Sequence, residues 1–579
     1  MFRIRRIYDN VIPINKLAIA QVQAIMRTQF VFLDENEIVK LPEKLRNPLK
    51  HKFRSILFVA DDLAGQVKGF ALVLHEPDLN FYFLDLLSSA KQLSGRGIGG
   101  ILFERVRQEV LALKSNGLFF ECLPDDPKLS HDLMILKENI ARLRFYERYG
   151  ARPIINTAYE TPLNPEDDNP PYLVFDDLGQ NKKLSRDYAR KVVRAILEKK
   201  YGDLCPPQYV TMVVESFRDD PVQIRKPKYI KTEPIVVHAK IPHDQKIALV
   251  INDKHEIHHV RERGYVESPI RINTILKEIE PTGLFESFPV KHFSDKHLKL
   301  VHDPKFVDYL KKVCEKIEPG KSIYPYVFPI RNTARPPKEL PIRAGYYCID
   351  TFTPLNQNAY LAARRAVDCA LTAADEILRG RRVAYALVRP PGHHAERKSF
   401  GGFCYFNSNA IAAQYLSGSG KVAILDIDYH HGNGQQDIFY ERSDVLTISI
   451  HGHPRFAFPY FTGFEDETGS CMGEKCNVNF TLQENVIGQH YQEILKKALH
   501  IIQKFQPQFL VLAVGFDTAK KDPTGSWSLS GKDFEGNGKM IGAIRLPTLI
   551  VQEGGYNHRN LGINARHFFN GFWNGMFLN

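Results

Sequence analysis

An apolar run from Val422 to Leu425 ends in Asp426-Ile427-Asp428-Tyr429-His430-His431. A continuous aliphatic run predicts a strand buried on both faces. If strand alternation continues past it, Asp426, Asp428 and His430 lie on one side. Two carboxylates and an imidazole form a donor set for a divalent metal ion. Four further segments share the plan of an apolar strand followed at its C-terminal end by residues able to do chemistry. VAYALVRPPGHHA supplies His393 and His394, DVLTISIHGH supplies Ser449 and His451, FLVLAVGFDT supplies Asp517, and LPTLIVQEGGY supplies Gly554, Gly555 and Tyr556. In open α/β sheets, ligands bind in the crevice beyond the strands' C-terminal ends. Five such segments predict one shared metal and acid–base site.

The elements that must carry these residues alternate strand and helix from about Ile235 onward, which predicts an α/β unit with a mainly parallel sheet. Residues 1–162 read as a smaller α+β unit. It has a hairpin around Leu63-Ala64-Gly65-Gln66, a strand from Asn80 and a helix from Ile101. Between them, 163–234 read as a linker or helical wrap, because they hold two Pro-rich stretches around the basic segment from Leu184. The chain has 579 residues, 44% hydrophobic and 25% charged, so wholesale disorder is excluded. No apolar run approaches the ~18 residues of a membrane span. Eight Cys without paired spacing suggest reduced thiols in a cytoplasmic chain. The net charge of +11 is compatible with an anionic partner, but whole-chain charge identifies none, and nucleic acid is not indicated.

RPPGHHA, GGFCYFNSNAIAA, DIDYHHGNG, SIHG, GFDT and EGGY, in that order, resemble the zinc-dependent histone deacetylase family over about Ile235 to the C-terminus. HHGNGQQD (from His430) and FPYFTGFEDETG (from Phe458) are most similar to its acetylpolyamine amidohydrolase branch. The resemblance implies an arginase/deacetylase-like three-layer α/β/α fold. It also implies a hydrolase acting on acetylated primary amines, either polyamines or acetyl-lysine. Asp428, His430 and Asp517 match the zinc ligands. His393 and His394 match the acid–base pair and Asp426 the carboxylate behind His393. Asn433 stands where some members carry Asp behind the second histidine, which makes His394 the expected general base. Tyr556 matches the oxyanion-stabilising tyrosine, with Gly554 and Gly555 letting it turn inward. Phe403 and Phe458, with Gly402 and Gly555, match the substrate-binding surface. Asp426, Asp428, His430, Ser449 and Ile450 match a structural potassium site. The loop from Lys338 resembles a dimer-forming insertion, so a homo-oligomer, a dimer, is expected. Glu339 and Asp350 in that loop are available to receive the distal ammonium of a polyamine, which Arg343 would oppose, but the favoured reading of all three is solvated loop charges. An arginase-like pair of manganese ions would need a second bridging Asp after Asp517, where Thr518 stands, so one metal is favoured.

In the first half, SGRGIGGILFERVRQEV (from Ser94) places Arg96, Gly97 and Gly99 ahead of a helix, where backbone N–H groups and the helix dipole favour an anion. With NIARLRFYERYG (from Asn139), it resembles the pyrophosphate loop and later helix of the GNAT N-acetyltransferases. Ser94 stands where that family usually carries Gln or Arg. The resemblance implies acetyl-CoA as cofactor, with Tyr146 near its thiol. Glu76 and Asp85 are the candidate bases. The first half would then be either an acetyltransferase or a non-catalytic acetyl-CoA sensor or docking unit.

Overall fold

The computed structural model describes all residues except 1, 31–32, 63, 90–96, 164–168, 232–233, 235–240, 263, 330–334 and 579. The chain forms two compact units, Met1–Asp244 and Gln245–Asn579. Ser94 and Arg96 lie outside the described residues.

The first unit is built on a seven-stranded sheet. Its strands are β1 (Phe2–Ile7), β2 (Arg54–Asp62), β3 (Val67–Glu76), β4 (Phe81–Ser89), β5 (Leu118–Cys122), β6 (Arg152–Pro153) and β7 (Tyr172–Asp176). Their order is β1-β2-β3-β4-β5-β7-β6, antiparallel except for the parallel pair β4/β5. A parallel pair needs a crossover, and the helix Ile98–Ala112 provides it. Period-two alternation sends Tyr82, Leu84 and Phe120 to one face, against Leu102, Phe103 and Tyr146. It sends Phe81, Phe83 and Phe119 to the other, against Val192, Val193, Ile196 and Val213.

That second face redraws the division expected at 162 and 235. The segment read as a linker supplies β7, which pairs with both β5 and β6. It also supplies the helices Arg186–Ala195 and Pro207–Ser216. Ala189, Val192, Val193 and Ile196 recur at helical spacing, and that stripe covers sheet surface that would otherwise face water.

The second unit carries eight strands: β8 (Ile247–Ile251), β9 (Phe285–Ser287), β10 (Val383–Leu387), β11 (Val422–Asp426), β12 (Val445–Gly452), β13 (Asn477–Leu482), β14 (Phe509–Val514) and β15 (Thr548–Gln552). Every pair is parallel, in the order β13-β12-β11-β14-β15-β10-β8-β9. β10, β11, β12, β14 and β15 are buried along their whole length, as a parallel sheet covered by helices requires. From β11 the chain winds outward through β12 and β13, then returns to β11's other side as β14 and winds away through β15. This reversal is a topological switch point, where the crossover connections diverge and leave a crevice at the strand ends.

Among the described residues, no helix is long and apolar enough to cross a membrane.

Candidate active site

Asp426 is the last residue of β11, and regular alternation stops there. The chain then makes a tight bend held by its own side chains. The Asp428 amide donates to Asp426 Oδ1 (3.0 Å), and the His430 amide donates to Asp428 Oδ1 (2.9 Å). The bend turns Asp428 and His430 toward the end of the neighbouring strand β14, where Asp517 waits. His430 Nδ1 lies 3.1 Å from Asp428 Oδ1 and 3.1 Å from Asp517 Oδ2. One ligand atom from each of Asp428, His430 and Asp517 falls within a 4.8 Å cluster, a size that fits one metal ion.

Two further observations fit a metal at this point. The two carboxylates are fully buried beside one another. Burial and the Asp428 charge push the Asp517 carboxyl up to about 7. A divalent cation beside it would favour the ionised form of Asp517, whereas the neighbouring histidines already hold Asp428 below the usual carboxylate range. Glycine also surrounds the cluster. A Cβ at Gly554 would sit 2.4 Å from Asp517 Oδ2 and 2.6 Å from Asp428 Oδ2, and one at Gly515 would sit 2.2 Å from Asp428 Oδ2.

The paired histidines come from the loop after β10. Both are buried, with ring centroids 4.0 Å apart. His393 Nδ1 donates to Asp426 Oδ2 (2.9 Å), a carboxylate that also accepts from the Gln435 amide. Burial works against charge on His393, but Asp426 and Asp428 outweigh it and lift the imidazolium to about 10. His394 Nδ1 lies 2.7 Å from Asn433 Oδ1. The Asn433 amide nitrogen donates to the His394 carbonyl (3.2 Å) and to Glu396 Oε1 (2.8 Å), which fixes the oxygen toward the ring. His394 therefore carries its proton on Nδ1 and leaves Nε2 free. Burial and the charges of His393 and His430 hold His394 well below the ordinary range, so it stays neutral.

Tyr556 follows β15 and is 7% exposed. Its backbone N–H is anchored by Asp522 Oδ2 (2.7 Å), and its ring is flanked by the Arg271 guanidinium at 4.8 Å. Burial holds the phenol well above its usual range, so the hydroxyl remains a donor. Phe403 packs edge-on against Tyr556 (5.8 Å), Phe458 packs edge-on against His394 (4.8 Å), and Phe352 touches both phenylalanines at 5.5 and 5.6 Å. Gly402 lies so close that a Cβ there would come within 2.2 Å of the His394 ring.

A histone deacetylase domain profile matches residues 265–572, just over half of the chain. The chain belongs to the histone deacetylase family. It is 37% identical over 336 residues to acetylpolyamine amidohydrolase 2 of Pseudomonas aeruginosa, covering 56% of this chain and 98% of that one. It is 34% identical to the acetylpolyamine amidohydrolase of Mycoplana ramosa, again covering 98% of that protein. The crystal structure of acetylpolyamine aminohydrolase from Burkholderia pseudomallei superposes on 57% of this chain and 99% of its own, with a TM-score of 0.54 at 36% identity. Membership of the histone deacetylase family makes the chain a deacetylase and implies a zinc cofactor, which the Asp428, His430 and Asp517 donors suit.

Within this deacetylase unit the structure brings together His393, His394, Asp426, Asp428, His430, Asp517, Tyr556, Phe403 and Phe458. Ser449 and Ile450 lie on β12, with Ser449 directly opposite Asp426 and its hydroxyl 2.8 Å from His451 Nδ1. Asp350 is not the solvated charge expected from the sequence. It is 7% exposed, and it accepts hydrogen bonds from the amides of Phe352, Thr353 and Gly402 and from the Thr353 hydroxyl. It thereby ties the Phe352 loop to the Phe403 loop. Sequence reasoning missed Glu553. Its fully buried carboxylate accepts the amides of Gly392 (2.7 Å) and His393 (3.1 Å) and the Asn409 side chain (2.6 Å), so it clamps the histidine loop to the tyrosine loop. Its place next to Gly554 in EGGY was the only signal of it in the sequence.

In the first unit, Glu76 and Asp85 are both engaged, the former with Lys199 (2.6 Å) and the latter with Lys200 (3.2 Å). Gly97 opens the helix Ile98–Ala112 at φ +80°, and Gly99 and Tyr146 line one cavity of about 1320 Å³.

Proposed function

We propose that the second unit hydrolyses the acetyl amide of aliphatic primary amines, acetylpolyamines first among them. The observation that carries this is the joint placement of the Asp428/His430/Asp517 cluster, the neutral His394 and the Tyr556 hydroxyl at one strand-end crevice. When bound at that cluster, zinc would act as a Lewis acid toward water and the amide oxygen. His394 Nε2 takes the proton of the attacking water, because its Nδ1 is already committed to Asn433. His393, held as an imidazolium by Asp426, offsets the negative charge that develops beside it. Tyr556 donates to the oxygen that was the amide carbonyl. His394 then returns its proton to the departing amine, so the C–N bond breaks to give acetate and a free amine. Phe403, Phe458 and Phe352 offer apolar ring edges to the methylene chain of the substrate. The potassium site would be Asp426, Asp428, His430, Ser449 and Ile450, supported by the register of Asp426 against Ser449. A homodimer is the assembly implied by the resemblance of the loop from Lys338 to a dimer-forming insertion.

The first unit reads as a GNAT-like acetyl-CoA-binding unit. Support comes from the parallel β4/β5 pair, the helix entered at Gly97 and, among the described residues, the lack of any atom within 4 Å of a Cβ placed at Gly97 or Gly99. Titrating acetyl-CoA into the full chain tests this, and no saturable binding would refute it.

Steady-state hydrolysis of an N-acetylated polyamine against an acetyl-lysine peptide tests the substrate assignment. The expected result is a kcat/KM about tenfold or more in favour of the polyamine. Equal values, or a preference for the peptide, would reassign the substrate.

A further inference from the structure

The paired histidines are backed differently. His393 Nδ1 donates straight to the Asp426 carboxylate, whereas His394 Nδ1 donates to the neutral amide oxygen of Asn433 at 2.7 Å. An amide oxygen offers only a dipole to the imidazolium that forms when His394 takes a proton. A carboxylate offers a full charge.

That charge stands one link further out. Asn433 Nδ2 donates to Glu396 Oε1 at 2.8 Å, so the order is imidazole, amide, carboxylate. Glu396 lies two residues beyond His394 in the same loop. Its Oε2 accepts the Ser399 hydroxyl (2.6 Å) and its own N–H donates to the Ser399 carbonyl (2.9 Å), which ties side chain and backbone at one point. Hydrogen bonds in series polarise one another in a low-dielectric interior. A carboxylate that accepts from Asn433 Nδ2 shifts electron density toward Asn433 Oδ1, the atom that faces the ring. If the amide needed only a partner, a neutral acceptor would serve. Burial raises the Glu396 carboxyl above its ordinary value, against the hydrogen bonds from Ser399 and Asn433, and the nearby Asp437 charge adds to the rise. A glutamine of the same shape would avoid both penalties.

We propose that Glu396 is the positioning carboxylate of the His394 base and acts on it through Asn433. The proton stays on His394 Nδ1 and the amide protons stay on Asn433 Nδ2, so no proton crosses the relay and only polarisation is passed along it. When His394 Nε2 takes the proton of the attacking water, the Glu396 charge stabilises the imidazolium through the polarised amide. When Nε2 returns that proton to the departing amine, the relay ends as it began. This deepens the proposed hydrolysis and rests on His394 being its base.

Glu396→Gln keeps the size of the side chain and removes the charge. In the zinc-loaded full chain, kcat for an acetylated amine should fall about tenfold, the usual loss when a hydrogen bond to a charged group is removed, with KM and zinc content unchanged. Asn433→Asp/Glu396→Gln reverses the order, placing the carboxylate against the ring and the amide behind it. Its kcat should return to within about threefold of the wild type. A glutamate that served only the fold would give no such recovery, because two substitutions in one cluster would compound their damage. An unchanged kcat in Glu396→Gln would overturn the proposal, as would a loss confined to KM or zinc content, or a double variant no faster than Glu396→Gln. If Glu396→Gln fails to fold, the double variant decides by the same threefold limit. Failure of both to fold would overturn the proposal by making Glu396 a requirement of the fold. His394→Ala, measured alongside, keeps the two readings apart. Turnover near wild type there would refute His394 as the base and the relay with it. A loss of about 10²-fold or more there, beside an unaffected Glu396→Gln, would refute the relay alone.

Discussion

Replacing Gly554 with alanine adds a single methyl group at the point where the proposed metal ligands crowd together. Its Cβ would lie 2.4 Å from Asp517 Oδ2 and 2.6 Å from Asp428 Oδ2. Moving both oxygens out to 3.0 Å, the closest a real Cβ approaches, displaces them by about 0.6 and 0.4 Å. Metal–ligand distances tolerate only about ±0.2 Å. Neither carboxylate has room to retreat. Both are fully buried, Asp428 Oδ2 accepts the Gly554 amide at 2.8 Å, and the Gly515 backbone closes its other side. Gly554→Ala should therefore lose zinc at concentrations that saturate the wild type, and kcat/KM should fall by about 10²-fold or more. The assay is elemental analysis of the dialysed chain with hydrolysis of an acetylated amine measured in parallel. The fold should survive, because the three atoms nearest the methyl group all belong to the two carboxylates, and an unchanged far-ultraviolet circular dichroism spectrum checks this. A Gly554→Ala chain that holds stoichiometric zinc and turns over within about threefold of wild type would refute the reasoning.

Tyr556→Phe keeps the ring between Arg271 and Phe403 and removes only the donor, so kcat should fall about 10²–10³-fold with zinc content unchanged. Near-normal turnover would remove Tyr556 from the chemistry. His302 provides a stability test away from the site. Burial pushes it down to about 4 from an ordinary 6.5, and its Nε2 accepts the Asn407 amide at 2.9 Å. Between those two values the unfolded chain binds more protons than the folded one. The stabilisation from neutral His302 is therefore full above about pH 6.5 and is lost as pH falls toward 4, on the order of 3 kcal/mol in all. Urea unfolding followed over that range should show a shallower acid loss for His302→Gln than for the wild type, and parallel curves would contradict the assignment.

The strand-end residues were legible because a buried parallel sheet announces itself. Each strand is an uninterrupted apolar run, and a polar residue at its C-terminal end has few reasons to be there. Asp426, Asp428, Asp517 and Tyr556 stood out on that ground. Strand alternation alone does not account for Asp428 and His430, since a hydrogen-bonded bend past the end of β11 aims them. Glu553 was hidden because its partners Gly392, His393 and Asn409 lie far away in sequence, and a glutamate before two glycines carries no pattern of its own. Asp350 misled for a related reason. A charge in a loop reads as solvated until its four donors are in view. The basic segment from Leu184 looked like a wrap because its Lys and Arg content masks the narrow stripe of Ala189, Val192, Val193 and Ile196 that completes the first unit's core.

The most direct test of the central claim is a zinc titration of the chelator-treated full chain, with deacetylation of an acetylated amine followed at each step. Turnover should be negligible without metal, should rise in proportion to added zinc and level at one ion per chain, and should not recover in Asp428→Ala. Full activity in the metal-free chain, or an Asp428→Ala chain that recovers as the wild type does, would contradict it.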